Sequence, residues 1–269
     1  MIRLAVRVRR EDAELALAEL LVLAPAGVEE TDHGDEVEYA IYGAPGELPD
    51  LGEVRAAAGG ALMSVSSREV PDDWDERWKA FHRPLVLGDR LVVRPPWEPA
   101  PPGPALDLVV DPGQAFGTGA HATTRLCLEL LLDLEPRGAL LDLGCGSGVL
   151  AIAAARLGWG PVHAVDHDAL AVTATEENAR VNGAALTAGR VDLRTDALPT
   201  APTVLANLLR PLLLTYAERL SDVPDTIVAS GLLTTEADEI AAAFAPLGLW
   251  AADRRDRGDW AALLLRRDP

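Results

Sequence analysis

The residues best placed to do chemistry lie in Leu140-Leu-Asp-Leu-Gly-Cys-Gly-Ser-Gly-Val-Leu150. Gly144, Gly146 and Gly148 stand at alternate positions, and Asp142 stands just ahead of them. The apolar residues before the turn suit a buried parallel strand. The apolar and small residues from Val149 to Leu157 read as a helix. Strand, glycine turn and helix together bring backbone N–H groups close to a nucleotide ligand. A Cβ would hold that ligand away, and a tight turn needs positive φ. The next strand, Val162-His-Ala-Val-Asp166, ends in an acid where a ribose-binding carboxylate is expected.

Two further stretches belong with this turn. Asp111-Pro-Gly-Gln-Ala-Phe-Gly-Thr-Gly-Ala-His-Ala-Thr-Thr124 is a shaped loop, with glycines on both sides of Thr118. It leads into a helix predicted over 121–132, with Thr123 and Thr124 in the first turn. Hydroxyls and free amides there can bind polar ligand atoms. Phe116 is the loop's only large apolar residue and is costly to leave in water. It is expected to close on the ligand, with Gly117 and Gly119 giving the loop freedom to move. Asn207 follows the strand Thr203 to Ala206, at the end where α/β folds place their crevice. His163 and His167 fall on a strand and a turn and share no helical face, so no metal is expected.

The elements that must position these residues alternate. Residues 106–110, 140–143, 162–166, 190–193, 203–206 and 226–229 read as strands, with helices between most of them. A hairpin over 249–255 and 260–266, turning at Gly258, closes the chain. This order predicts a mostly parallel sheet with an antiparallel edge. Ahead of it, residues 2–66 read as βαββαβ, a compact split-βαβ unit. Between the two lie Trp74, Trp78 and Phe81 at helical spacing, a hairpin over 84–94, and the proline cluster from Pro95 to Pro104. The expected division is therefore 1–66, a linking helix and hairpin over 67–104, and the larger domain over 105–269.

Composition narrows the function. The 269 residues carry a net charge of -18, which repels phosphate backbones and favours a basic protein partner. Direct nucleic acid binding is not expected. No apolar run is long enough to span a bilayer, and the first residues enter a strand pattern without a signal-peptide layout. Cys127 and Cys145 cannot make a disulfide framework, so a reduced, cytoplasmic setting is expected.

Asp142-x-Gly-x-Gly-x-Gly148 resembles the first motif of the class I S-adenosylmethionine-dependent methyltransferases. The resemblance implies a sulfonium ligand with an amino-acid tail, whose positive charge suits Asp142. It implies a Rossmann-like seven-stranded sheet, here with a small α+β ferredoxin-like N-terminal domain. Asp73 to Lys79, Val93 to Trp97, Asp111 to Thr124, Asp142 to Gly148 and Ala206-Asn-Leu-Leu209 together resemble a narrower family. That family is the ribosomal protein methyltransferases that modify the large-subunit protein numbered eleven. Ser230-Gly-Leu-Leu233 and Trp260 also agree. The family loop has Thr-His-Pro where this chain has Ala120-His121-Ala122, and the N-terminal module is short.

The resemblance implies methylation of lysine amines, N-terminal amines or both on that ribosomal protein, which the N-terminal module grips. Thr124, Gly144, Asp166 and Asn207 match positions that contact S-adenosylmethionine, and Gly146 belongs to the same turn. Asn207 is the candidate catalytic residue, its side-chain oxygen accepting a hydrogen bond from the amine. A lysine amine has a reference pKa of about 10.4 and must lose a proton first. Water can take it, so no dedicated base is assigned. Alternative readings are lysine methylation of another protein, such as an electron-transfer flavoprotein subunit, a small-molecule methyltransferase, and a non-enzymatic scaffold. Loss of Asp142, Asp166 or a turn glycine would favour the scaffold, and all are present.

Overall fold

The computed structural model describes residues 2–24, 28–43, 48–69, 83–111 and 121–267. The chain divides into two compact units, Met1–His82 and Arg83–Pro269.

The first unit runs β1 (Ile2–Arg9), α1 (Ala13–Leu23), β2 (Glu29–Asp32), β3 (Glu36–Gly43), α2 (Leu51–Ala58) and β4 (Leu62–Glu69). Its sheet has the order β2-β3-β1-β4, antiparallel throughout. This is the ferredoxin-like arrangement. Alternation along β1 buries Leu4, Val6 and Val8, and the helices bury Leu17, Leu20 and Val54. Asp50 starts α2 through a capping box, accepting from the amides of Gly52 and Glu53 while Glu53 returns to the Asp50 amide.

The second unit begins with β5 (Leu85–Leu87), β6 (Leu91–Arg94) and β7 (Leu106–Val109), which form their own three-stranded sheet. The segment over 67–104 is thus divided: β4 runs to Glu69, and the hairpin β5–β6 lies in the second unit. The proline-rich stretch returns the chain so that β6 and β7 pair in parallel. Arg94 braces that return through a bidentate contact with Asp107, at 2.9 and 2.8 Å.

Then follow α3 (Ala122–Leu132), β8 (Leu140–Leu143), α4 (Val149–Leu157), β9 (Val162–Asp166), α5 (Ala169–Val181), β10 (Thr187–Arg190), β11 (Thr203–Asn207), α6 (Arg210–Arg219), β12 (Thr226–Leu233), α7 (Ala237–Phe244), β13 (Leu249–Arg257) and β14 (Trp260–Arg267). Among the described residues these make a seven-stranded sheet in the order β10-β9-β8-β11-β12-β14-β13. The first five neighbours are parallel, and β14 enters antiparallel between β12 and β13. This is the doubly wound α/β sheet with a closing hairpin that the sequence predicts.

All four residues of β8 are buried, as a central parallel strand requires. Leu213, Tyr216, Ile240 and Phe244 of α6 and α7 cover one face of the sheet. Burial of a side chain such as Phe244, which is fully enclosed, contributes about 1.5–3 kcal/mol. The chain leaves β8 toward β9 and β10, then crosses back to β11 on the other side. The carboxyl ends of β8 and β11 therefore flank the topological switch point, where such sheets bind ligands.

Two strands differ from their sequence expectation. The strand expected over 190–193 lies at Thr187–Arg190. Asp192 instead makes a turn: its carboxylate accepts from the Arg194 amide at 2.9 Å, and its own amide donates to Asp196. The strand expected over 226–229 continues to Leu233, because β14 supplies pairing partners beyond Ser230.

Candidate active site

The turn after β8 is built from its glycines. Gly144, Gly146 and Gly148 have φ of 78°, 53° and 81°. That region is open to glycine and strained for other residues. The turn is tied to the end of β9: the amides of Gly144 and Cys145 donate to the Val165 carbonyl at 2.8 and 3.0 Å. The Gly146 amide donates to Asp166 Oδ2 at 3.0 Å. Asp166 Oδ1 accepts from the Asp168 amide at 3.0 Å and lies 3.1 Å from His167 Nδ1. Asp166 therefore shapes the glycine turn as well as standing beside it.

Asp142 sits beneath the turn and is 1% exposed. Its Oδ2 accepts from the Ala151 amide at 3.0 Å, in the first turn of α4. Its Oδ1 is buried without a hydrogen-bond partner among the described residues. Burial, helped by the nearby Asp166 charge, pushes the Asp142 carboxyl up to about 7. Cys145 in the same turn is a buried thiol pushed up by desolvation, and Thr175 Oγ1 donates to its sulfur at 3.3 Å. It packs as a small apolar residue and is no nucleophile.

On the other side of the switch point, β11 ends at Asn207. Asn207 Nδ2 lies 3.4 Å from Thr124 Oγ1, and Asn207 Oδ1 is buried without a partner among the described residues. Thr124 is buried in the first turn of α3. His121 caps that helix, with Nδ1 accepting from the Thr123 amide at 3.4 Å and lying 2.8 Å from Thr123 Oγ1. The His121 ring stands edge-on to Trp260, with centroids 4.8 Å apart. Burial lowers the His121 pKa to about 4, so the ring is neutral at physiological pH.

Asp142, Gly144, Gly146 and Asp166 thus gather at the ends of β8 and β9, and Asn207 joins Thr124 beside β11. Phe116, with Gly117 and Gly119, lies outside the described residues, as does the aromatic stretch over 73–81. Sequence reasoning missed Asn178, which is 3% exposed on the inner face of α5. Its Nδ2 donates to the carbonyls of Ser147 at 2.9 Å and Asp111 at 3.2 Å, and its Oδ1 accepts from the Asp111 amide at 3.0 Å. One amide thereby holds the glycine turn and the start of the 111–124 loop together. One turn on, Asn182 pairs in the same way with both backbone groups of Val109. Thr175, Asn178 and Asn182 at helical spacing are the signal that could have found this face.

Comparison with known proteins places this geometry in a family. Residues 52–268 match the family described as ribosomal protein L11 methyltransferase (PrmA). A ribosomal protein L11 methyltransferase of Bordetella bronchiseptica is 40% identical over 293 residues, covering 92% of each chain. One from Gloeobacter violaceus is 41% identical over 199 residues, covering 72% of this chain and 63% of its relative. The crystal structure of a ribosomal protein L11 methylase from Lactobacillus delbrueckii subsp. bulgaricus superposes with a TM-score of 0.62 at 29% identity. That match covers 69% of this chain and 99% of the other. With a glycine turn at the switch point, a closing antiparallel hairpin and these relatives, the chain belongs to the ribosomal protein L11 methyltransferase family, and it is an S-adenosylmethionine-dependent methyltransferase of the class I fold.

Proposed function

We propose that this enzyme methylates primary amines, lysine side chains and the N-terminal amino group, of ribosomal protein L11. The observation that carries the reading is Asn207 Oδ1, a buried acceptor at the end of β11 without a partner among the described residues. An unsatisfied buried acceptor costs about 1–3 kcal/mol, so the fold retains it where an incoming donor completes it. An amine N–H is such a donor, and accepting from it turns the nitrogen lone pair toward the site.

The turn residues fit S-adenosylmethionine, which supplies an activated methyl group on a positively charged sulfur. Asp142 Oδ1, a buried carboxyl oxygen without a partner among the described residues, would be satisfied by a nearby cation. Asp166 keeps acceptor capacity for ribose hydroxyls beyond its bond to Gly146. Thr124 offers a hydroxyl from the first turn of α3.

The chain's own part in the reaction is alignment. Holding nucleophile and methyl carbon in line contributes on the order of 7–11 kcal/mol in favourable cases. The amine must arrive neutral, and burial beside a cation lowers its pKa. His121 is held neutral by burial, so it adds no charge that would oppose either the sulfonium or the amine. The proton passes to water.

The N-terminal unit is assigned to substrate capture, because it is a complete small fold outside the cofactor turn. The net charge of -18 suits a basic ribosomal protein. The cytoplasm is the compartment this reading implies. Among the described residues no helix is long and apolar enough to cross a membrane. The test is incubation with labelled S-adenosylmethionine and unmethylated ribosomes, followed by mass spectrometry of the labelled protein. Methyl groups on ribosomal protein L11 are the expected result. A label on another protein, an electron-transfer flavoprotein subunit included, would overturn the substrate assignment.

A further inference from the structure

Leu208, the residue after Asn207, is gripped by glycines from two sides. A Cβ on Gly144 would lie 2.4 Å from Leu208 Cδ2. A Cβ on Gly231 would lie 2.4 Å from the Leu208 carbonyl oxygen and 2.7 Å from its carbonyl carbon. The Leu208 amide donates to the Ser230 carbonyl at 2.9 Å. The two contacts differ in kind. Gly144 meets the end of a side chain, whereas Gly231 meets backbone that cannot rotate away.

Gly231, at φ 84°, is the extra residue where the β12–β14 register shifts between Ser230 and Leu232. Such a bulge bends a strand and re-aims what lies beside it. Here it makes room for the Leu208 main chain. Beyond it Leu233 pairs with Trp260, the first residue of β14, whose ring meets His121.

The strand ladder explains why this matters. β8 and β11 are paired as far as Leu143 opposite Ala206, and there the pairing ends. Asn207 continues to pair with Ser230 of β12, so the end of β11 is fixed on that side. On the β8 side, the glycine turn and Asn207 both lie beyond the last ladder pair. The Leu208 side chain spans that interval and touches Gly144.

We propose that Leu208 is a positioning residue, a wedge between Gly144 and Gly231 that sets the separation between the cofactor turn and the Asn207 amide. The proposal rests on the reading of Asn207 as the group that orients the amine. Donor and acceptor of the methyl group are held by different strands, so their alignment depends on what spaces the strand ends. A misplacement of about 1 Å can cost on the order of 100-fold in rate.

The test compares Leu208→Ala, Leu208→Val, Leu208→Met and Asn207→Ala in the full chain, with unmethylated ribosomal protein L11 as substrate. Initial rates give kcat and KM, and calorimetry gives the Kd for S-adenosylmethionine. Leu208→Ala is expected to lower kcat about 10- to 100-fold, with the cofactor Kd within about threefold. Leu208→Met, which still reaches Gly144, should restore most of the loss, and Leu208→Val should fall between. If the alanine variant does not fold, the order of the valine and methionine variants decides. A kcat within about twofold in folded Leu208→Ala or Leu208→Val overturns the wedge, as does a parallel loss of cofactor affinity. Full activity in Asn207→Ala overturns the reading of Asn207 instead. An inactive Asn207→Ala beside a normal Leu208→Ala overturns the wedge alone.

Discussion

The Asn207 amide lies 3.4 Å from the Thr124 hydroxyl, joining the end of β11 to the first turn of α3. With Nδ2 directed at Thr124, Oδ1 is left as the acceptor for an incoming group. Asn207→Ala removes that acceptor and is expected to lower kcat on the order of 100-fold, as loss of one preorganised polar contact does elsewhere. Thr124→Val keeps the shape but releases the amide, and its kcat should fall by a smaller factor, about tenfold. Steady-state rates on ribosomal protein L11 check both. An equal or larger effect from Thr124→Val would mean that its contact with the cofactor outweighs its hold on Asn207.

Asp166 carries a second expectation. Its carboxylate holds the Gly146 amide and, on the proposed reading, the ribose hydroxyls. Asp166→Ala should weaken S-adenosylmethionine binding by at least about 1–2 kcal/mol. Asp166→Asn, which keeps one acceptor for Gly146, should hold the turn yet still lose affinity. Calorimetry on both variants separates the roles. Unchanged affinity in folded Asp166→Ala would remove Asp166 from the site.

Asn178 should behave as a joint. Asn178→Ala removes its hydrogen bonds to the Ser147 carbonyl and to both backbone groups of Asp111. A cost of about 1–3 kcal/mol in stability is expected, read as a lowered urea midpoint with an unchanged slope. Cofactor affinity should fall with it, because the turn and the 111–124 loop share this amide. A midpoint that does not move would show that water replaces Asn178 without cost.

What was legible in the sequence follows from where signals are local. Asp142, Gly144, Asp166 and Asn207 stand where apolar runs break, and a broken run marks a strand end. Leu193 shows the opposite case. It is apolar beside Val191 and reads as strand, yet it is buried within a turn that Asp192 makes and Arg219 braces with a bond to the Leu193 carbonyl. Gly231 reads as the end of β12, because its bulge depends on β14, which lies far along the chain. Asn182 grips Val109 through a tertiary contact across 73 residues, which no local pattern announces.

Asp142 and His121 should leave opposite marks on stability against pH. Burial, with the Asp166 charge adding to it, raises Asp142 from 3.8 to about 7. Between those values the folded enzyme keeps a proton that the unfolded chain has released. The stability linked to Asp142 is therefore present below pH 3.8 and is lost as pH rises through about 7. Burial lowers His121 from 6.5 to about 4, so there the unfolded chain holds the extra proton. Stability linked to His121 is present above pH 6.5 and is lost as pH falls through about 4. Asp142→Asn should raise the melting temperature at pH 8 by a few degrees, about 2–4 °C, and much less at pH 4. His121→Asn, which keeps a capping side chain, should flatten the loss on the acid side. A cofactor cation beside Asp142 favours the carboxylate, so binding near pH 7 should release a proton, and affinity should rise between pH 6 and 8. Calorimetry in two buffers of different ionisation enthalpy reads that proton directly. No proton release in the unaltered enzyme, together with a pH-independent effect of Asp142→Asn on melting, would show that the carboxyl stays in one state throughout.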